Sequence, residues 1–337
     1  MAPSLATVVA IFLAAILLSS PPPCAAASSA PAPAAAGHGV PAVFAFGDST
    51  LDPGNNNRLA TLVRADHAPY GRDFPGGAAT GRFTDGKLIT DYIVSSLGIK
   101  DLLPAYHSSG LAVADASTGV SFASGGSGLD DLTANNALVS TFGSQLNDFQ
   151  ELLGHIGSPE SDEIAGKSLY VISAGTNDVT MYYLLPFRAT NFPTIDQYGD
   201  YLIGLLQSNL NSLYKMGARK MMVAGLPPLG CLPVQKSLRG AGSGGCVTEQ
   251  NEAAERYNAA LQKALSKLEA DSPGAKIAYP RLLRDGDEEM GALCTSALPQ
   301  CQSPSHYMFF DSVHPTQATY KALADEIVKS HVPQLMQ

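Results

Sequence analysis

Apolar positions along the chain fall into short runs broken by glycine and into longer stretches with helical spacing. Val43, Phe44 and Phe46 follow Pro41 as a β-branched and aromatic run of strand length, and Gly47 ends it. Residues 168–179, SLYVISAGTNDV, read as a second apolar strand that breaks at Gly175. Residues 220–224 and 276–279 read as further strands. Between them lie amphipathic stretches. Residues 81–98 pass from a turn into a helix with Leu88, Ile89, Tyr92, Ile93 and Leu97 on one face. Residues 196–216 and 248–270 repeat the pattern, the second with Thr248 as its expected N-cap and Ser272-Pro273-Gly274 as its stop. A last helix is predicted over 317–329, with Pro315 in its first turn. Strands alternating with such helices predict an α/β fold, a mostly parallel sheet covered on both faces.

The amino-terminal stretch has a different pattern. No Asp, Glu, Lys or Arg precedes Asp48, and residues 5–18 are almost purely apolar. That run is short for a membrane span and has the length of a signal-peptide core, with small residues at 24–27 offering cleavage near Ala26 or Ala27. The pattern predicts a signal peptide over 1–27, a flexible Ala/Pro-rich lead-in over 28–40, and a single domain over 41–337, since no linker interrupts the rest. The expected product is secreted and carries no stable membrane anchor.

Charge narrows the partners. The formal net charge of −9 and the lack of a basic run exclude nucleic acid and anionic lipid as electrostatic partners. Cysteine usage fits an oxidising compartment. With Cys24 in the leader, Cys231, Cys246, Cys294 and Cys301 remain, and four cysteines allow three pairings. The nearest-neighbour pairing, Cys231 with Cys246 and Cys294 with Cys301, closes the shortest loops. Zinc is the rival reading, but the spacings lack a CxxC pair and no histidine pattern completes one. The chain has no Asn-x-Ser/Thr sequon, so ordinary N-glycosylation is not expected.

Candidate chemistry gathers at the strand ends. Ser49 lies just past the first strand, where open α/β sheets place their chemistry, although Ser, Asp, Gly and Asn there would also simply make a turn. Asp311 and His314, in FFDSVHPT, are three residues apart, so one turn of chain can bring the carboxylate to one imidazole nitrogen and leave the other free. Ser, His and Asp together make a nucleophile, a base and an orienter. Asn177 would bring an amide donor to the same sheet edge. Asn55, Asn56 and Asn57 are read as braces beneath Ser49 rather than ligand contacts. Residues 181–187, MYYLLPF, either line an acyl pocket or pack under a loop. No serine sits in a Gly-x-Ser-x-Gly elbow, which disfavours the common α/β-hydrolase fold.

Four blocks in order, GDSTLDPGNNN from Gly47, VSFASGGSG from Val120, GTND from Gly175 and DSVHP from Asp311, resemble the GDSL esterase/lipases of the SGNH hydrolase superfamily, specifically the plant branch. Thr50 stands where the family's name has leucine. Residues 291–301 depart from the double cysteine usual in that branch. The resemblance implies a flavodoxin-like three-layer α/β/α domain with Ser49 as nucleophile, His314 as general base and Asp311 as its orienter. Ser49, Gly125 and Asn177 would form the oxyanion hole, with the register of the glycine open between Gly125 and Gly126. It implies a secreted hydrolase of the cell wall or apoplast, without cofactor or metal, that cleaves carboxylic (acyl or acetyl) esters of lipids or cell-wall components, small or polymeric. Two alternatives stand beside it. Asp48 and Asp52, or Asp48 and Asp178 with His314, suggest a metal-dependent phosphoesterase, yet the other histidines stand alone in the sequence. A non-catalytic wall-binding protein is the second, against which the absence of Trp argues.

Overall fold

The computed structural model describes residues 39–185, 188–239, 245–280 and 303–337. Strands β1 (Val43–Gly47), β2 (Gly119–Ser121), β3 (Leu169–Ser173), β4 (Lys220–Val223) and β5 (Lys276–Ala278) pair in parallel in the order β2-β1-β3-β4-β5. This is the flavodoxin-like order, in which the connection reverses direction between the first and third strands and opens a crevice at their carboxyl ends. The α/β sheet expected from the alternating pattern is therefore present, with all pairings parallel.

The main helices here are α1 (Ile89–Ser96), α2 (Phe142–Ile156), α3 (Thr176–Leu184), α4 (Ile195–Lys215), α5 (Thr248–Asp271) and α6 (Gln317–Ser330). Period-two alternation in β1 sends Phe44 and Phe46 to one face, into a core with Phe122, Phe149, Tyr170 and the apolar stripes of α2, α4 and α5. Val43 and Ala45 face the other way, against Leu88, Ile93, Tyr320 and Ala324 of the α1 and α6 side. Three layers result. Full burial of each phenylalanine contributes about 2–3 kcal/mol, so β1 is held from both faces.

Element ends show where local chemistry decided. Helix α4 starts at Ile195 because Thr194 accepts from the Gln197 N–H while Gln197 reaches back to the Thr194 N–H. Two expected helix starts are corrected. Thr248 is the first helical residue of α5, preceded by Val247, and its hydroxyl caps nothing. Pro315 lies just outside α6, whose N-cap is Thr316, accepting from the Thr319 N–H.

The Cys231–Cys246 disulfide forms as the short-loop pairing predicts. Cys24, Cys294 and Cys301 lie outside the described residues, as do the leader and most of the lead-in. No helix among the described residues is long and apolar enough to cross a membrane.

Candidate active site

The site forms where β1 and β3 end together. Gly47 pairs with Ser173, and at a φ of +132° a Cβ on Gly47 would come within 1.8 Å of the Ser173 carbonyl oxygen. Only glycine permits this approach. The chain then turns sharply, with the Asp48 N–H donating to Ser173 O at 3.1 Å, and presents Ser49 above the sheet. Helix α2 supplies the other clamp. Buried Gln145 accepts from the Gly47 N–H at 2.8 Å and donates to Gly47 O at 2.9 Å, so both polar groups of that glycine are satisfied.

Ser49 Oγ lies 2.7 Å from His314 Nε2, and His314 Nδ1 lies 2.6 Å from Asp311 Oδ2. Asp311 Oδ1 accepts from the backbone N–H groups of Val313 (2.8 Å) and His314 (2.7 Å), which is how a three-residue spacing folds the carboxylate back on the ring. Burial pushes the Asp311 carboxyl up. The facing imidazole and these donors outweigh it and hold the group below its usual range. Asp311 is therefore an acceptor on both oxygens, so Nδ1 carries the ring proton and Nε2 accepts from the serine hydroxyl. Asp311 is fully buried, whereas Ser49 and His314 retain 6% and 7% exposure.

The segment carrying the pair is fastened by a stretch whose sequence announces no chemistry. Tyr70 donates to Asp311 Oδ2 at 2.8 Å, and the Phe83 ring packs at 4.9 Å, tilted by 34°, against the His314 ring. Thr84 Oγ1 donates to Pro315 O at 2.9 Å, and Asp85 Oδ1 accepts from the Gln317 N–H at 2.7 Å, pinning the start of α6. These residues are far from 311–317 in sequence and lie in a turn-rich segment without periodicity. Only the aromatic spacing around Tyr70 and Phe83 could have hinted at them.

Asn177 sits in the first turn of α3, after Gly175, and its Nδ2 donates to Ser127 O at 2.8 Å. One amide hydrogen remains beyond that bond. Gly125 is otherwise engaged: its N–H donates to buried Asp52 Oδ2 at 2.8 Å. It is not free to receive an oxyanion. The neighbouring Gly126 N–H and the Ser49 N–H have no hydrogen-bond partner among the described residues.

A GDSL-like lipase/acylhydrolase family model matches residues 43–327. The chain belongs to that family. An Arabidopsis thaliana GDSL esterase/lipase is 39% identical over 88% of this chain and 91% of its own length. A second from the same plant is 36% identical over 97% of each chain, and a third 40% identical over 86% and 90%. Among solved structures, a lipase from a goat rumen metagenome overlaps at a TM-score of 0.40 and 12% identity, over 87% of this chain and 98% of that one, a likeness too loose to argue from. Membership in a lipase/acylhydrolase family makes the chain a carboxylic ester hydrolase.

Within this family frame the remaining candidates find structural work. Asn55 Nδ2 donates to Ser121 O and Ala123 O, Asn56 Nδ2 to Val63 O and Gly125 O, and Asn57 Nδ2 to Thr80 O. They brace backbone beneath Ser49. Asp52 accepts from Gly54, Asn55 and Gly125, while Asp178 accepts from Leu129, Asp130 and the Thr133 hydroxyl. Burial pushes Asp52 up to about 6 and Asp178 to about 7, against those donors. It also raises Asp48, against two hydrogen bonds from Thr50 and the nearby imidazole. Donors thus surround the carboxylates that a metal would need, and no cluster of three or more metal-ligating side chains occurs among the described residues. Tyr182 stacks on Tyr198 at 5.5 Å and donates to Phe192 O, so this part of 181–187 packs under a loop; Pro186 and Phe187 lie outside the described residues.

Proposed function

We propose that the protein is a secreted serine hydrolase of acyl or acetyl esters of lipids or cell-wall components, working through an acyl-enzyme. The observation that carries this reading is the continuous line Ser49 Oγ, His314, Asp311 at 2.7 and 2.6 Å. As Ser49 Oγ bonds to the ester carbonyl carbon, His314 Nε2 takes its proton and Asp311 stabilises the imidazolium. The tetrahedral intermediate then expels the alcohol, which leaves with the proton from Nε2. Water, deprotonated by the same nitrogen, releases the acid and restores Ser49.

Charge growing on the carbonyl oxygen needs donors already in place. We assign the Ser49 N–H, the Gly126 N–H and the free hydrogen of Asn177, with the glycine moved one residue on because Asp52 holds the Gly125 N–H. A φ of +82° at Gly126 favours the absence of a side chain there. The N-terminus of α3 adds its positive dipole end. Val63 and Ala137 lie against Gly126, and their chain neighbours Leu62 and Leu138 are 81% and 64% exposed. An apolar rim beside the oxyanion donors favours substrates with an acyl chain. Secretion is supported by the apolar core at 5–18 and by the Cys231–Cys246 disulfide.

The test is hydrolysis of nitrophenyl esters of graded chain length by the purified mature protein. Ser49→Ala and His314→Ala should each lower kcat by about a millionfold, and the double variant little further, because the pair acts as one unit. Full activity in Ser49→Ala would remove the reading. Loss of wild-type activity to a chelator, restored by metal, would favour the phosphoesterase.

A further inference from the structure

We propose that Tyr70 is a positioning residue of this centre, whose phenol shares a carboxylate oxygen with the imidazole and thereby sets the basicity of His314; the inference rests on the Ser49–His314–Asp311 reading. Asp311 Oδ2 accepts from both Tyr70 (2.8 Å) and His314 Nδ1 (2.6 Å), while Oδ1 takes the Val313 and His314 N–H groups. Four donors fill the acceptor sites of a carboxylate with no exposed surface. Water cannot replace a lost donor there. Because Asp311 is held in its ionised form, the hydrogen between it and Tyr70 belongs to the phenol.

Tyr70 is held as firmly as the pair it serves. Its ring packs edge-on against Phe83 at 5.9 Å and Phe310 at 5.6 Å, and Phe83 in turn backs the His314 ring. Its N–H donates to His67 O, and the next residue's N–H donates to Thr84 O, beside the hydroxyl that grips Pro315. The phenol draws negative charge off Oδ2, so the imidazolium is stabilised less than by a bare carboxylate. A less stabilised imidazolium returns its proton to the leaving alcohol more readily. Asp48 also acts on His314, and the Tyr320 hydroxyl lies near Asp48, Asp311 and Asp85; removing the Tyr70 hydroxyl leaves these unchanged.

Tyr70→Phe keeps the ring in place against Phe83 and Phe310 and deletes the donor to Asp311. The acid limb of its kcat/KM profile, which reports the imidazole of the free enzyme, should move up by about half to one pH unit. Replacing Tyr70 by 3-fluorotyrosine, a stronger donor of nearly the same shape, should move the limb down, and serves where the phenylalanine variant folds poorly. Tyr320→Phe removes a buried hydroxyl that has no hydrogen-bond partner among the described residues and should leave the limb in place. Limbs within about 0.1 unit of wild type for both Tyr70 replacements would reduce Tyr70 to packing. That failure is distinct from failure of the triad, which an active Ser49→Ala would announce.

Discussion

Asn177 is the side chain whose role can be separated from its structural duty. It holds Ser127 O with one amide hydrogen, and the other is the donor proposed for the oxyanion. Asn177→Ala should therefore lower kcat by about a hundred- to a thousandfold with KM nearly unchanged. The lost bond to Ser127 costs only about 1 kcal/mol, so melting should shift little. Asn177→Asp should be as poor or worse, since an acceptor would face both the Ser127 carbonyl and the developing charge. Melting and turnover on the same preparations decide the matter: a depressed melting point with normal kcat would leave Asn177 a brace. The hydrogen-bonded line of Ser49, His314 and Asp311 could be anticipated from sequence because a nucleophile, base and orienter demand those residue types and the short 311–314 spacing is local. The proposal of Gly126 rather than Gly125 draws on the Asp52 carboxylate at the Gly125 N–H, a contact that no spacing in the sequence signals.

Strand ends and the helices that buttress them set the precision of the site. Helix α2 contributes Gln145, whose amide satisfies both backbone groups of Gly47 and also donates to Ser127 Oγ at 3.2 Å. One side chain thus ties the Ser49 loop to the loop carrying Gly126. Gln145→Leu, close in size, leaves a buried N–H and C=O unpaired at a cost of about 2–4 kcal/mol. The melting temperature should fall by on the order of 5–10 °C. Turnover should fall with it, because Ser49 is no longer aimed; an unchanged kcat at a temperature where the variant is folded would uncouple this clamp from catalysis. The long helices were legible from periodicity. Strand β2, only Gly119–Ser121, was too short to carry a pattern, and its place at the sheet edge comes from pairing with β1.

Across the whole molecule, carboxyls buried under the loops should govern the dependence of stability on pH. Asp52 and Asp178 are pushed up to about 6 and about 7, so the native state binds protons that the unfolded chain has released. Their contribution is fully present below the ordinary carboxyl value of about 4 and is lost as pH rises through about 6 and 7. Asp311 runs the other way, but its contribution is lost only as pH falls below that ordinary value. Calorimetric melting between pH 5 and pH 8 should therefore show a decline, on the order of 5 °C. A flat or rising profile would mean that the backbone donors keep both groups ionised in the folded protein.

The order of apolar runs, glycine breaks and amphipathic stretches was enough for an α/β sheet with helices on both faces, because periodicity is a local property of the chain. The residues of the proposed Ser49–His314–Asp311 line were legible for the same reason: they sit in two short blocks, one at a strand end and one in a tight turn. What folding alone decided is everything that depends on separation in sequence. The strand order places Ser49 and Asn177 beyond the ends of two neighbouring strands. Tyr70, Phe83 and Thr84 reach across more than two hundred residues to grip Asp311, His314 and Pro315. Asp52 and Gln145 occupy the N–H groups of Gly125 and Gly47, while Asn56 holds the Gly125 carbonyl. Such contacts leave no spacing in the sequence, since a hydrogen bond fixes where two groups meet and not how much chain lies between them.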